Sequence, residues 1–246
     1  MDSVKKEITR EMKRPGLDDS TLILRAKNIH KEYVKGSERL SVVKGVSLDI
    51  HKGDCIAIMG SSGAGKSTLL HVLGTLDPAT HGDLYFGPKQ QNLWKMSDEE
   101  LSDFRNRNLG FVFQFHYLLP EFSSLENVMM PALIAGWEKN EASERAHELL
   151  KYVGLENRAT HRPPELSGGE QQRVAIARSI MLQPKLILGD EMTGNLDSEN
   201  SKRVIDLLLD LNARLGIAIL IVTHDHDVAS RMKKVLTMKD GKIITS

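Results

Sequence analysis

The chain has 246 residues, 40% of them hydrophobic, enough to bury the core of one domain or of a domain carrying an embedded subdomain. Lysine plus arginine and aspartate plus glutamate both number 33, so no overall positive field exists to hold a polyanion against salt, and nucleic acid is excluded as an expected partner. The single cysteine, Cys55, cannot close an intramolecular disulfide, and the nine histidines lack the clustered Cys/His spacing of a structural zinc site, so a reducing compartment is expected.

Residues 1–20 are rich in charge and pass through Pro15-Gly16, which reads as a flexible tail. No apolar run follows them, and the longest in the chain, Ile217 to Val222, is too short to cross a bilayer. A soluble globular chain that reaches a membrane only through a spanning partner is expected. From Thr21 to Ile58 come short β-type runs, Leu22 to Leu24, Val42-Val43 and Val46 to Ile50, separated by charged turns, and then a buried strand at Cys55 to Met59. A glycine-rich loop opens a helix over Lys66 to Leu73. The stretch from Met96 to Leu166 is mostly helical in pattern, with Ala142, Ala146, Leu149, Leu150 and Val153 on one face of a helix over Glu141 to Val153, and Pro163-Pro164 closes it. Apolar runs at Leu186 to Leu188 and Ile217 to Val222 then alternate with helical patterns, as in a parallel sheet crossed over by helices. The fold class is α/β with a helical insertion.

Three stretches carry chemistry. Gly60-Ser61-Ser62-Gly63-Ala64-Gly65-Lys66-Ser67 follows a strand and opens a helix, the context of a phosphate-binding P-loop, with Thr68 next along the helix. Glycines there let backbone N–H groups converge on phosphate oxygens, the helix N-terminus adds positive charge, Lys66 reaches the outer phosphates, and Ser67 is placed to ligate Mg²⁺. The run Leu186 to Glu191 is an apolar strand ending in two carboxylates at the end where parallel sheets bind ligands. Asp190 is the Mg²⁺-side carboxylate; Glu191, on the opposite side of an extended backbone, is placed to align or deprotonate an attacking water. Finally, Ser167-Gly168-Gly169-Glu170 has the spacing of a capping box that opens a helix containing Val174, Ala177, Ile180 and Met181. Two glycines in a first turn weaken a helix relative to alanine, so an exposed backbone holding an anion is the expected reason for them.

The P-loop, then LSGGEQQR, LILGDEMTGNLD and LIVTHD in this order, resemble the ABC ATPase family over the chain from about Leu22 onward. The resemblance implies a P-loop NTPase, RecA-like core with an N-terminal antiparallel β subdomain and an inserted α-helical subdomain. Its division is residues 21–114 and 171–246 as nucleotide-binding core and 115–170 as helical subdomain. It also implies ATP and Mg²⁺ as ligands and a homodimer in which Ser167, Gly168, Gly169 and Glu170 of one subunit meet ATP on the P-loop of the other. By the same resemblance Gln114 senses Mg²⁺ and the γ-phosphate, His224 contacts that phosphate, Asp197 lies in the loop that crosses the dimer interface, and Tyr33 stacks on adenine. Phe115, Tyr117, Leu118, Leu119 and Phe122 fall where the family receives a cytoplasmic helix of an integral-membrane permease; two or three of them are expected to fill the subdomain's own core instead.

The run Leu109 to Val128, His161-Arg162-Pro163 and Thr193 to Asp197 are similar to the lipoprotein-releasing ATPases, whose branch also holds macrolide-exporter and cell-division ATPases. That similarity implies a peripheral subunit on the cytoplasmic face of a bacterial inner membrane, powering transfer of lipoproteins toward the outer membrane. Met192 and Gly189 depart from the proline and alanine common in the family; the first is expected to loosen the turn that aims Glu191. The alternative is an ATPase of a macrolide-exporter-like or cell-division-like complex of the same branch, and behind it stands a soluble, non-transport ABC ATPase. The short span between Ser67 and Ser167 leaves no room for the long coiled coil such an enzyme of DNA repair would need, and one cassette is present where a translation factor carries two.

Overall fold

The computed structural model describes residues 21–36 and 38–244; the tail expected over residues 1–20 lies outside them. In chain order the elements are β1 (Leu22–Lys35), β2 (Glu38–His51), β3 (Cys55–Met59), α1 (Lys66–Leu73), β4 (His81–Phe86), β5 (Gln91–Asn92), α2 (Asp98–Asn108), β6 (Leu109–Phe113), α3 (Ser124–Ile134), α4 (Lys139–Tyr152), α5 (Gly168–Ser179), β7 (Leu186–Asp190), α6 (Ser198–Leu215), β8 (Ala218–Thr223), α7 (His226–Ser230), β9 (Lys234–Lys239) and β10 (Lys242–Ile244). They form two compact units. Among the described residues, the first takes 21–105, 188–191 and 218–244, and the second takes 106–187 and 192–217.

In the first unit, the short β runs expected before Ile58 are instead two 14-residue strands paired antiparallel from Leu22↔His51 to Lys35↔Glu38. The pairing shifts register between Ala26 and Ile29, between Ile29 and His30, and between Lys31 and Glu32. Leu24 and Ala26 share a face by alternation, and the shift between Ala26 and Ile29 re-phases the strand so that Ile29 is buried as well, although charged residues interrupt the apolar pattern. That interruption made the strand look broken. β4 pairs on the other side of β1, giving the order β2-β1-β4-β5.

The unit's second sheet places β3 between β8 and β9, both parallel to it, with β10 antiparallel at one edge and the end of β7 beside β8. Every residue of β8 is buried, as is β3 from Cys55 to Ile58, which is why both read as unbroken apolar runs. Their C-terminal ends carry Met59 into the P-loop and Thr223 into His224, so the sheet delivers the chemistry-bearing residues to one edge.

In the second unit, β6 lies beside β7 and the helices α3, α4 and α5 pack on one another. The buried face of α4 is Ala142, Ala146, Leu149 and Leu150, as the spacing predicts, with Tyr152 added, whose hydroxyl donates to Asp210 Oδ2 at 2.7 Å. α5 ends at Ser179, two residues earlier than its apolar pattern suggests, yet Ile180 and Met181 beyond it stay buried.

The loop before α3 is organised by the fully buried Asn127. Its Oδ1 accepts from Leu119 N at 2.8 Å, and its Nδ2 lies 3.0–3.1 Å from the carbonyls of Leu119, Phe122 and Ser123. Asn127→Leu removes the partners of the Leu119 N–H and the Phe122 carbonyl, while the Leu119 and Ser123 carbonyls keep the Phe122 and Asn127 N–H groups, so it should cost about 1–3 kcal/mol. Urea unfolding should show a lower midpoint with an unchanged slope.

Candidate functional site

The first unit assembles a P-loop around a buried cation. Gly65 takes φ 97°, and a Cβ there would lie 2.7 Å from the Val42 carbonyl oxygen, so only glycine turns the loop into α1 at this point. Lys66, 6% exposed, donates from Nζ to the carbonyls of Gly60 at 2.9 Å and Ser61 at 3.1 Å. Its countercharge is Glu191, with Oε1 3.9 Å away.

The two carboxylates that end β7 meet different partners. Asp190 Oδ1 accepts from the Ser67 hydroxyl at 2.8 Å, and Oδ2 lies 3.7 Å from His71 Nε2. Burial raises the Asp190 pKa above the ordinary range, against the opposing pull of Ser67, His71 and Lys66. Glu191 is not on the extended backbone expected from the sequence. Its φ is 43°, in the left-handed region, with its N–H held by the Val222 carbonyl at 3.0 Å. Its Oε1 comes within 3.2 Å of His224 Nδ1, so one carboxylate oxygen stands near both the Lys66 ammonium and an imidazole that is 65% exposed to solvent. Met192, expected to loosen this turn, is itself buried at 3% exposure.

A hydroxyl and a carboxylate within one hydrogen bond of each other are hard oxygen donors of the kind Mg²⁺ takes together with waters and phosphate oxygens. Among the described residues no group of three His, Cys, Asp or Glu side chains could hold a metal alone, so this pair suits an ion shared with a substrate. His71 escaped the sequence reading; its i, i+4 spacing from Ser67 on α1 was the available signal. Tyr33 belongs to the same unit. It is 42% exposed, and its hydroxyl donates to Asp77 Oδ2 at 2.7 Å.

The second unit carries the remaining candidates. Ser167 caps α5 as the spacing predicts: its hydroxyl accepts from Glu170 N, and its own N–H donates to Glu170 Oε2 at 2.8 Å. The two glycines that follow differ. A Cβ on Gly169 would meet the Asn200 side chain at 2.6 Å, so packing explains that glycine; a Cβ on Gly168 would find only Leu196 at an ordinary 3.7 Å, and Gly168 is exposed. Asn200 is itself tied to Asp197, the N-cap of α6, through Asp197 Oδ1 at 2.8 Å and Oδ2 at 2.7 Å. Gln114 pairs with Asn195: its Nε2 donates to Asn195 Oδ1 at 3.1 Å, and Asn195 Nδ2 donates to the Gln114 carbonyl at 3.3 Å. Asn195 and Asn200 were not singled out from the sequence, since a polar residue in a loop has no pattern until its partner is known. Of the apolar run, Phe115, Tyr117, Leu119 and Phe122 are exposed and Leu118 is half-buried, so the expected burial of two or three in the subdomain's core does not occur; Asn127 holds the loop's backbone from below instead.

A strand, glycine loop and helix with a buried lysine, and a further strand ending in a carboxylate bonded to the loop's serine, define a nucleotide-binding protein of the P-loop class. Residues 43–194 match the family model described as ABC transporter, and the chain belongs to that family. It is 49% identical over 223 residues to the lipoprotein-releasing system ATP-binding protein LolD of Syntrophus aciditrophicus, covering 91% of this chain and 99% of the relative. The corresponding protein of Bdellovibrio bacteriovorus is 51% identical over 219 residues, covering 89% and 99%. Among solved structures, the ATP-binding cassette MJ0796, dimeric in a post-hydrolysis state with ADP and Pi, superimposes with a TM-score of 0.83 at 39% identity, covering 91% of this chain and 97% of that one. No helix among the described residues is long and apolar enough to cross a membrane.

Two outcomes follow from the α5 N-terminus. Gly169→Ala must displace Asn200 and should cost about 1–3 kcal/mol, whereas Gly168→Ala should leave thermal unfolding, followed by circular dichroism, unchanged or slightly improved. The Ser167 N–H first, and then the Arg158 guanidinium at 3.0 Å, hold the Glu170 carboxyl down to about 2. Since the folded value lies below the ordinary 4.5, this group's stabilisation is complete above about pH 4.5 and disappears as pH falls toward 2. Glu170→Gln should flatten that part of the stability–pH curve measured by urea unfolding.

Proposed function

We propose that this chain hydrolyses ATP as the nucleotide-binding subunit of an ABC complex that releases lipoproteins from a bacterial inner membrane. The observation that carries the ATPase chemistry is the convergence of Lys66, Ser67, Asp190, Glu191 and His224 within one unit, each with the partner its role needs. The lipoprotein-releasing assignment is supported by near-50% identity to LolD proteins over almost their whole length.

In this reading Lys66 exchanges the Gly60 and Ser61 carbonyls for the outer phosphate oxygens of ATP, a swap of one set of oxygen acceptors for a charged one. The loop Gly60, Ser61, Ser62, Gly63, Ala64 and Gly65, with Thr68, wraps the phosphates, and Tyr33 stacks on the base. Ser67 and Asp190 hold Mg²⁺, with Gln114 as a further oxygen donor; the ion neutralises phosphate charge. Glu191 orients the attacking water and takes its proton, its carboxylate held in place by the nearby Lys66 and His224, and His224 contacts the departing phosphate.

Ser167, Gly168, Gly169 and Glu170 meet the ATP of a second copy, with Asp197 at the crossing. The exposed Gly168 supports this, since no packing contact accounts for its missing side chain. The division into a nucleotide-binding core of residues 21–114 and 171–246 and a helical subdomain of 115–170 belongs to the same reading. A permease helix rests on Phe115, Tyr117, Leu118, Leu119 and Phe122, which keeps the chain at the cytoplasmic face. Binding closes the dimer and hydrolysis reopens it.

Glu191→Gln keeps the side chain's size and removes its basicity. It should bind ATP, run as a dimer in size-exclusion chromatography with light scattering, and release phosphate at least about 100-fold more slowly than the native chain. Undiminished phosphate release would refute the assignment of the base.

A further inference from the structure

Beside the P-loop the structure contains a charge pair that the catalytic chemistry leaves unused. Lys31 on β1 is 8% exposed, and a lysine so deeply placed is retained only with full compensation. Its ammonium donates to the Asp77 carboxylate and, at 2.8 Å, to the Pro78 carbonyl. The other oxygen of Asp77 accepts the Tyr33 hydroxyl at 2.7 Å, so one carboxylate is shared between the cation and the phenol. The same ammonium stands 5.0 Å from the centroid of the Tyr33 ring, occupying one face of it, while the ring as a whole is 42% exposed.

The loop holding Asp77 is fastened to β1 on both sides of Lys31: Thr80 N donates to the His30 carbonyl at 2.8 Å, and Thr80 Oγ1 accepts from Glu32 N at 2.9 Å. Asp77 closely follows α1, whose first turn holds Lys66, Ser67 and Thr68. The ring is therefore tied at its hydroxyl to the loop that leaves the phosphate-binding helix and is backed by a cation. Burial works to raise the Asp77 pKa, but the bonds from Lys31 and Tyr33 outweigh it and hold the group ionised.

We propose that Asp77 and Lys31 are positioning residues for adenine nucleotides: they fix the Tyr33 ring, one face covered by the Lys31 ammonium, at a set distance from the P-loop so that its other face receives the base. This rests on the reading of Tyr33 as the base platform. A ring held in place loses no freedom when the base arrives, and the base then sits in register with phosphates bound on the same helix.

The test compares Tyr33→Ala, Tyr33→Phe, Asp77→Asn and the Tyr33→Phe/Asp77→Asn pair in the full chain. The readouts are steady-state ATPase kinetics, titration calorimetry with ATP and with inorganic tripolyphosphate, and thermal unfolding. Tyr33→Phe and Asp77→Asn should each raise KM for ATP about three- to tenfold with kcat unchanged, the pair no more than either alone, and tripolyphosphate affinity should stay at the native value. Tyr33→Ala should lose at least as much as Tyr33→Phe. If Tyr33→Ala leaves ATP affinity intact, the platform reading itself falls. If Tyr33→Ala weakens ATP while Tyr33→Phe and Asp77→Asn do not, or if Asp77→Asn weakens ATP and tripolyphosphate equally, the positioning role is overturned and the platform stands.

Discussion

A lysine ammonium kept almost wholly from solvent must be surrounded by oxygen, and the P-loop is built to meet that demand. The Gly60 and Ser61 carbonyls supply two acceptors to Lys66, and Glu191 supplies the countercharge at 3.9 Å. The glycine conformation at 65 lets the loop turn back on its own lysine, and the end of β7 brings the carboxylates to Ser67 and Lys66. Each charge is tolerated because its neighbour is there: Asp190 leans on Ser67 and His71, and Glu191 on Lys66 and His224. Such a set is primed for a polyanion, since phosphate oxygens can replace the loop carbonyls without stranding the cation.

The backbone at Glu191 shows what that convergence demands. A non-glycine residue in the left-handed region costs about 1–3 kcal/mol and persists where the surroundings fix it; here the Val222 carbonyl holds its N–H. The extended course that alternation suggests would send the carboxylate to the opposite side from its neighbour's. The turned backbone instead brings one oxygen into reach of Lys66 and His224, so local strain is the means by which a strand end gathers a carboxylate, an ammonium and an imidazole.

The second unit solves a different problem, that of presenting backbone without burying it. Its loops are each pinned by short polar side chains: Ser167 with Glu170 at one helix start, Asp197 with Asn200 at another, and Asn195 against Gln114. Asn127 performs the same service for the run that exposes Phe115, Tyr117, Leu119 and Phe122. Loops held in this way can display glycine and large apolar groups to a partner because their shape does not depend on burying those groups.

The sequence by itself determined the strand, loop and helix of the P-loop, the buried parallel strands and the capped start of α5, because each rests on a local period or a fixed spacing along a few residues. It also singled out Lys66, Asp190, Glu191 and His224 as candidates, by their motifs and the order of those motifs in the chain. Only the tertiary structure decided that β1 and β2 are continuous through their register shifts, since a bulge is defined by the partner strand. It alone separated Gly169, excluded from bearing a side chain by Asn200, from Gly168, which has room for one. It alone joined Lys31, Tyr33 and Asp77, whose spacing of some 45 residues carries no local pattern. Periodicity reports how a residue relates to its own element; strain, close approach and shared charges are properties of pairs that folding brings together.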